Sequence, residues 1–142
     1  MIENKKAYHD YEILELFDCG LKLEAWEVKS IADNNCSIVG AHCKVFHNEV
    51  FLFGATMNSE GDVDYQRSRK LLLHRKEINK LIGRTQEKGL TLIPLRIYSV
   101  RGKFKLQMGL AKGKRDYDKR ETEKKRTIEN ENRRIVKSQK LE

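Results

Sequence analysis

The sequence predicts a mainly β protein: a small antiparallel barrel with short peripheral helices, continuing into a basic C-terminal tail. Two observations carry that reading. Phe104, Leu106, Met108 and Leu110 alternate with Lys103, Lys105, Gln107 and Gly109, the period of two of a strand with one dry face and one wet face. After Ala111 the alternation stops, and Lys112, Lys114, Arg115, Lys119 and Arg120 crowd together with nothing from which a core could be built. A body that packs and an arm that does not suggest a protein that docks with one part and reaches with the other.

The 142 residues give room for one domain. Residues 112–142 hold 12 lysines and arginines against 7 acidic residues, so five of the eight net positive charges sit on the tail. That asymmetry points to a polyanionic partner, either nucleic acid or an anionic membrane surface. No apolar run is long enough to span a bilayer, and the first ten residues lack the apolar centre of a secretion signal, so a soluble, cytoplasmic protein is expected. Cys19, Cys36 and Cys43 have no C-x-x-C spacing and no accompanying His/Cys cluster, which fits a reduced compartment and no metal site.

Along the chain, residues 1–10 read as a loose polar segment. Residues 11–23 form a long strand with Tyr11, Ile13, Glu15 and Phe17 on one side and Leu14 and Leu16 on the other, which implies burial on both faces, and a bulge or bend at Gly20. Residues 25–32 change to a helical period, with Ala25, Val28, Ile31 and Ala32 inward and Trp26 and Glu27 off that stripe. Glu27 and Lys29 read as structural, satisfying each other or a neighbouring strand.

Two strands, residues 41–46 and 50–55, follow as a hairpin, with Phe46, Phe51 and Phe53 assigned to the core. Residues 56–68 read as a mobile surface loop, and residues 70–73 fit strand or helix equally. Residues 75–82 form a helix ended by Gly83, with Ile78, Leu81 and Ile82 inward. Residues 91–100 make a strand whose Pro94 marks an edge or bulge, and a tight turn leads to the last strand. Five or six antiparallel strands with short helices between them match a partly open barrel of the oligonucleotide-binding kind over residues 11–111.

The tail, residues 112–142, carries Asp116/Arg120, Glu121/Lys125 and Glu129/Arg133 at the favourable four-residue spacing. Each pair adds only about 0.2 to 0.5 kcal/mol, and the apolar face is limited to Ile128, Ile135 and Val136. The expectation is disorder in isolation and a helix on a partner.

Several stretches together carry a family resemblance: NKKAYHDYEI from Asn4, GLKLEAWEVKSI from Gly20, EVFLFGA from Glu49, RSRKLLLHRKEI from Arg67, GLTLIPLRIY from Gly89 and GLAKGKRDYDKR from Gly109. In this order they closely resemble small protein B, the SsrA-binding protein family. The resemblance implies binding to the tRNA-like domain of transfer-messenger RNA and its delivery to stalled ribosomes in trans-translation. Neither catalytic residues nor a cofactor nor a metal is implied.

By matching motif, the resemblance puts RNA contacts at Asp18, Leu72 and His74. It puts contacts with the decoding site and mRNA channel at Lys112, Gly113, Lys114, Arg115, Tyr117, Asp118, Lys119 and Arg120, and further along at Ile135, Val136 and Lys137. Asp18 stands where Glu is usual, His74 where Asn is common, and Tyr117 where many members have His. The expected partners are transfer-messenger RNA and the ribosome, chiefly the small-subunit decoding site. A monomer with no membrane partner is expected.

Read from the residues alone, Asp18 is a turn residue, Leu72 core, His74 a helix cap or a solvent-facing residue, and the basic run a solvated tail. Another ribosome-associated RNA-binding barrel, such as an initiation-type factor or a ribosomal protein, would share the body and the arm. Selective binding to the tRNA-like domain separates the two readings. An enzyme would need carboxylates or histidines gathered at one site, and His9, His42, His47 and His74 show no metal or triad spacing.

Overall fold

The computed structural model describes residues 2–61 and 63–114. Its frame is a pair of long ladders that share one strand. β9 (Lys103–Gly113) lies between β2 (Tyr11–Leu21) and β8 (Leu90–Val100), antiparallel to both. The β8–β9 connection has Arg101 at φ 50° and Gly102 at φ 77°, the left-handed pair of a two-residue hairpin turn whose twist matches its strands. His47 and Asn48, at φ 49° and 60°, do the same between β4 (His42–Phe46) and β5 (Glu49–Phe53).

β7 (Arg69–Leu72) joins β5 to β2, and β1 (Ile2–Glu3) adds to the far side of β8, giving the order β1-β8-β4-β5-β7-β2-β9. Because β9 also pairs with β8, the ladder of pairings returns on itself. β3 (Cys36–Ser37) and β6 (Thr56–Met57) make a separate two-stranded piece. Three helices complete the described chain: α1 (Lys5–Asp10), α2 (Ala25–Ala32) and α3 (Arg75–Arg84).

The main core follows the strand parity. Cys19, Leu52, Leu71, Leu92, Ile97, Leu106, Met108 and Leu110 are buried inside the ring, with Ile31 of α2 and Ile78 and Leu81 of α3 in the same cluster. Each such large side chain contributes about 1.5 to 3 kcal/mol. A second cluster lies on the opposite side of β8 and β9, where Ala7 of α1 meets Ile93, Leu95 and Ala111, flanked by Tyr11 and Ile13. There a Cβ on Gly109 would come within 3.1 Å of both Ile13 and Leu95, so glycine lets these neighbours close tightly over β9.

Several sequence expectations are corrected. Residues 2–10 are not a loose segment but carry β1 and α1, fixed by the buried Asn4, whose Nδ2 donates to the Pro94 carbonyl at 2.9 Å. Burial on both faces occurs at β8 and β9; Leu14 and Leu16 of β2 are exposed because α1 covers the Tyr11–Ile13 end alone. The bulge in β2 falls between Ile13 and Glu15 rather than at Gly20, and the one in β8 lies between Pro94 and Arg96.

In α2 the buried face is Glu27, Ser30 and Ile31, whereas Ala25, Val28 and Ala32 face outward. Phe46, Phe51 and Phe53 are not core: Cys43, Val50 and Leu52 take the inward parity, which leaves the rings outside. Gly83 lies within α3, whose last turn is closed by Thr85, its hydroxyl donating to the Leu81 carbonyl at 2.7 Å. The 56–68 segment contains β6 and the fully buried Met57, and the ambiguous 70–73 stretch resolves as strand up to Leu72, within β7. The last buried residue of β9 is Ala111, as expected, but the strand itself runs on through the exposed Lys112 and Gly113.

One buried polar cluster ties α2 to β7. Glu27 and Arg69 are both wholly enclosed. The Glu27 carboxylate accepts from the Arg69 and Arg67 guanidinium groups and from the Glu24 backbone N–H at 2.8 Å. Arg69 also donates to the carbonyls of Ala55 (2.8 Å) and Tyr65 (3.1 Å). Burial pushes the Glu27 carboxyl up, but the Glu24 N–H and the two arginines together hold it below its ordinary value.

Candidate nucleic-acid interface

Residues paired across a ladder point to the same side of the sheet, so the register shows which side chains share the outer surface. One row runs Tyr98–Lys105–Gly20–Leu72 across β8, β9, β2 and β7, and the next runs Arg96–Gln107–Asp18. Asp18 and Leu72 thus lie in adjacent rows. Gly20, between them, has no side chain, and a Cβ there would approach the Leu72 Cβ to 3.1 Å. Leu72 consequently stands open, 49% exposed, where the sequence by itself reads core.

Asp18 does not hang free as a turn residue. It accepts a hydrogen bond from the Tyr98 hydroxyl at 2.7 Å, and the Arg96 guanidinium stacks over the Tyr98 ring at 4.7 Å. Arg96 Nε donates to Gln107 Oε1 at 3.2 Å, which completes a small polar mosaic. Burial, then the bond to Asp18, pushes the Tyr98 phenol up to about 12, so it stays protonated and orients the carboxylate. Tyr98, Arg96 and Gln107 are not among the site residues named from the sequence; the signal available was the outward parity of Arg96 and Tyr98 on one strand and of Gln107 on the next.

His74 follows Leu72 by two residues and caps α3, its backbone N–H donating to Glu77 Oε1 at 3.3 Å. Its side chain is exposed. Beside it, Glu49, Lys70, Leu72 and Arg75 border a shallow cavity of about 300 Å³. The structure therefore gathers Asp18, Leu72 and His74 on one stretch of surface that combines a carboxylate, an open apolar side chain and nearby cations. Such a surface can grip folded RNA by shape, phosphate contact and stacking.

Of the basic run, Lys112, Gly113 and Lys114 are described. Lys112 pairs with Glu12 and Leu90, and Gly113 with Tyr11. The Lys114 backbone N–H donates to the Asp10 carbonyl at 2.9 Å and its Nζ to the Tyr8 carbonyl at 3.0 Å. The root of the arm is thus fastened beside the start of β2, while Asp18 and Gly20 lie toward its end. Arg115, Tyr117, Asp118, Lys119, Arg120, Ile135, Val136 and Lys137 lie outside the described residues.

A family model described as SmpB protein matches residues 1–138. This chain is a member of the SmpB family. Curated SmpB relatives named SsrA-binding protein are 46% identical in Thiobacillus denitrificans (96% of this chain, 95% of the relative). They are 45% identical in Azoarcus sp. (96% of each) and 45% in Burkholderia mallei (97% of each). A solved SmpB chain described as "tmRNA-SmpB: a journey to the center of the bacterial ribosome" superposes with a TM-score of 0.67 at 40% identity, covering 84% of this chain and 92% of that one. Among the described residues of this SmpB chain, no group of three or more histidines, cysteines or carboxylates is placed to hold a metal ion. No described helix is long and apolar enough to cross a membrane.

Proposed function

We propose that this protein binds the tRNA-like domain of transfer-messenger RNA and delivers it to stalled ribosomes in trans-translation. The observation that carries the reading, beside family membership, is the outer surface on which Gly20 leaves Leu72 open next to Asp18 and His74. The ring of pairings is read as an oligonucleotide-binding-like barrel, whose outer face suits a folded RNA elbow better than a helical groove. Leu72 offers an apolar contact for an unstacked base, Asp18 accepts from sugar hydroxyls or base amines, and the neighbouring lysines and arginines meet phosphate.

The arm then takes the place that codon and anticodon would fill. Lys112, Gly113 and Lys114 fix its root, and Arg115, Lys119 and Arg120 meet rRNA phosphates. Tyr117 stacks on a decoding-site base, and Asp118 orients its cationic neighbours by charge-assisted hydrogen bonds. Ile135, Val136 and Lys137 hold the far part in the mRNA channel as a helix formed on contact. This role is cytoplasmic, and its steps are binding steps that call on no cofactor.

Removing residues 116–142 separates docking from delivery. Affinity for the isolated tRNA-like domain is expected to stay within about tenfold, near 1.4 kcal/mol, while rescue of stalled ribosomes in a reconstituted translation system is lost. Loss of RNA binding on truncation, or full rescue by the shortened protein, contradicts the proposal.

A further inference from the structure

The β4–β5 hairpin presents a strip of rings on the outside of the molecule that the RNA and ribosome contacts proposed above leave unused. His42 and Phe53 lie 5.8 Å apart and nearly parallel, Phe53 and Phe51 6.2 Å, Phe51 and Phe46 6.4 Å, and Phe46 and His47 4.1 Å edge-on. Phe46, beside the hairpin turn, is 58% exposed. Phe46 and His47 are exposed and His42, Phe51 and Phe53 half-buried, and a contiguous ring-bearing strip on an outer sheet face marks an interaction surface.

The charge around the strip has one dominant sign. Lys44 of β4 pairs with Phe51, which pairs with Lys70 of β7, so a ring is flanked on both sides by lysines in a single row. The carboxylate of the hairpin, Glu49, is bound by Lys70 at 2.8 Å, and the charges of Arg75 and Lys22 also act on it. Arg75 is held at the hairpin tip by its bond to the Asn48 carbonyl at 2.9 Å. The strip is also continuous with the surface described above: Lys70 and Leu72 are two apart on β7 and so face the same way.

We infer that this strip, Phe46, His47, Phe51, Phe53 and His42 with Lys44 beside it, is a stacking track for a single-stranded RNA segment. The inference rests on the RNA-binding reading above and extends it across β7 to the neighbouring hairpin. Rings supply sequence-tolerant stacking for successive bases, and the lysine rows follow the backbone phosphates, the combination by which barrels hold single strands. Duplex RNA keeps its bases stacked on one another and has nothing to offer the rings.

The test titrates the full chain with an end-labelled uridine octamer, and in parallel with a short RNA duplex and with the tRNA-like domain. Phe46→Leu keeps apolar bulk at an exposed site and removes the ring; Phe46→Tyr keeps the ring. The octamer is expected to bind Phe46→Leu about fivefold or more weaker and Phe46→Tyr as wild type, with duplex binding equal in all three. Lys44→Ala should flatten the salt dependence of octamer binding by roughly 0.7. Octamer affinity unchanged in Phe46→Leu overturns the inference, as does octamer binding too weak to detect. So does a Phe46-dependent self-association that leaves octamer binding untouched, since the strip would then be a contact between copies. Binding of the tRNA-like domain reports separately on the Asp18, Leu72 and His74 surface, so either reading can fail while the other stands.

Discussion

Substituting Glu27 by Gln keeps the side chain's size and removes its charge, leaving the fully enclosed Arg69 without its counter-ion. Removing one member of a buried ion pair costs about 3 to 5 kcal/mol, because the other is left desolvated and uncompensated. Here Arg69 keeps its bonds to the Ala55 and Tyr65 carbonyls, and Arg67, 29% exposed, can turn to water. The expected loss therefore lies at the low end, about 3 kcal/mol, a large share of the stability of a single domain. At about 4 °C per kcal/mol for a domain near this size, the midpoint falls by roughly 12 °C.

Urea and thermal denaturation of the purified protein measure the effect. Glu24→Gln is the control: Glu24 lies 3.8 Å from Arg67 and is well exposed, so the change should cost under about 1 kcal/mol. Acid adds a second arm. The folded-state pKa of Glu27 is held below the ordinary 4.5, so the carboxylate's contribution is complete above that value and is lost as pH falls through the folded pKa. Wild type and Glu27→Gln should then converge in stability as the solution is acidified. A loss below about 1 kcal/mol at neutral pH, or a gap that widens in acid, refutes the reasoning.

Two further outcomes follow from the site. Gly20→Ala places a methyl 3.1 Å from the Leu72 Cβ; a Cβ is fixed to its own backbone and cannot rotate away, so β2 and β7 must part by a few tenths of an ångström, stability should fall by about 1 to 3 kcal/mol, and affinity for the tRNA-like domain, measured by filter binding, falls about threefold or more. Replacing Lys119 and Arg120 together by Ala should weaken ribosome engagement and flatten its salt dependence by roughly 0.7 for each phosphate no longer neutralised. An unchanged slope in a salt titration, with rescue at the wild-type rate, would argue against phosphate binding there.

What the sequence could and could not disclose depends on what decides each position. The long strands were legible because alternation is a property of the chain itself, and Pro94 announced the irregularity beside it because a missing N–H interrupts any ladder. The facing of β5 was not legible: Val50, Phe51, Leu52 and Phe53 are apolar at both parities, and the choice falls to register with Cys43 and Leu71 across the sheet. Glu27 breaks the pattern of α2 because its partners are forty or more residues away on the segment that leads into β7. The six-residue α1 is too short to stand by propensity, and is set by Ala7 packing on Ile93 and Ala111. Asp18, Leu72 and His74 were placed by motif; what the motif could not show is that Leu72 stands open beside Gly20, whose importance lies in an absent atom.

The shared ladder of β2 and β9 acts as a ruler. The arm's root is fastened opposite Tyr11, and the surface proposed for RNA begins at Asp18, seven residues along an antiparallel pair, or about 23 Å at roughly 3.3 Å per residue. No hinge separates the two ends, so a ligand seated at one end dictates where the arm starts at the other. Lengthening both strands by two residues would move the arm by about 7 Å and preserve every facing, whereas a single-residue insertion would turn the surface inside out. The bulge at Leu14 is a graduation on that ruler: it turns the facing of β2 between the end clasped by α1 and the end proposed to meet RNA. The molecule thereby converts strand length into the distance between what it carries and where it delivers it.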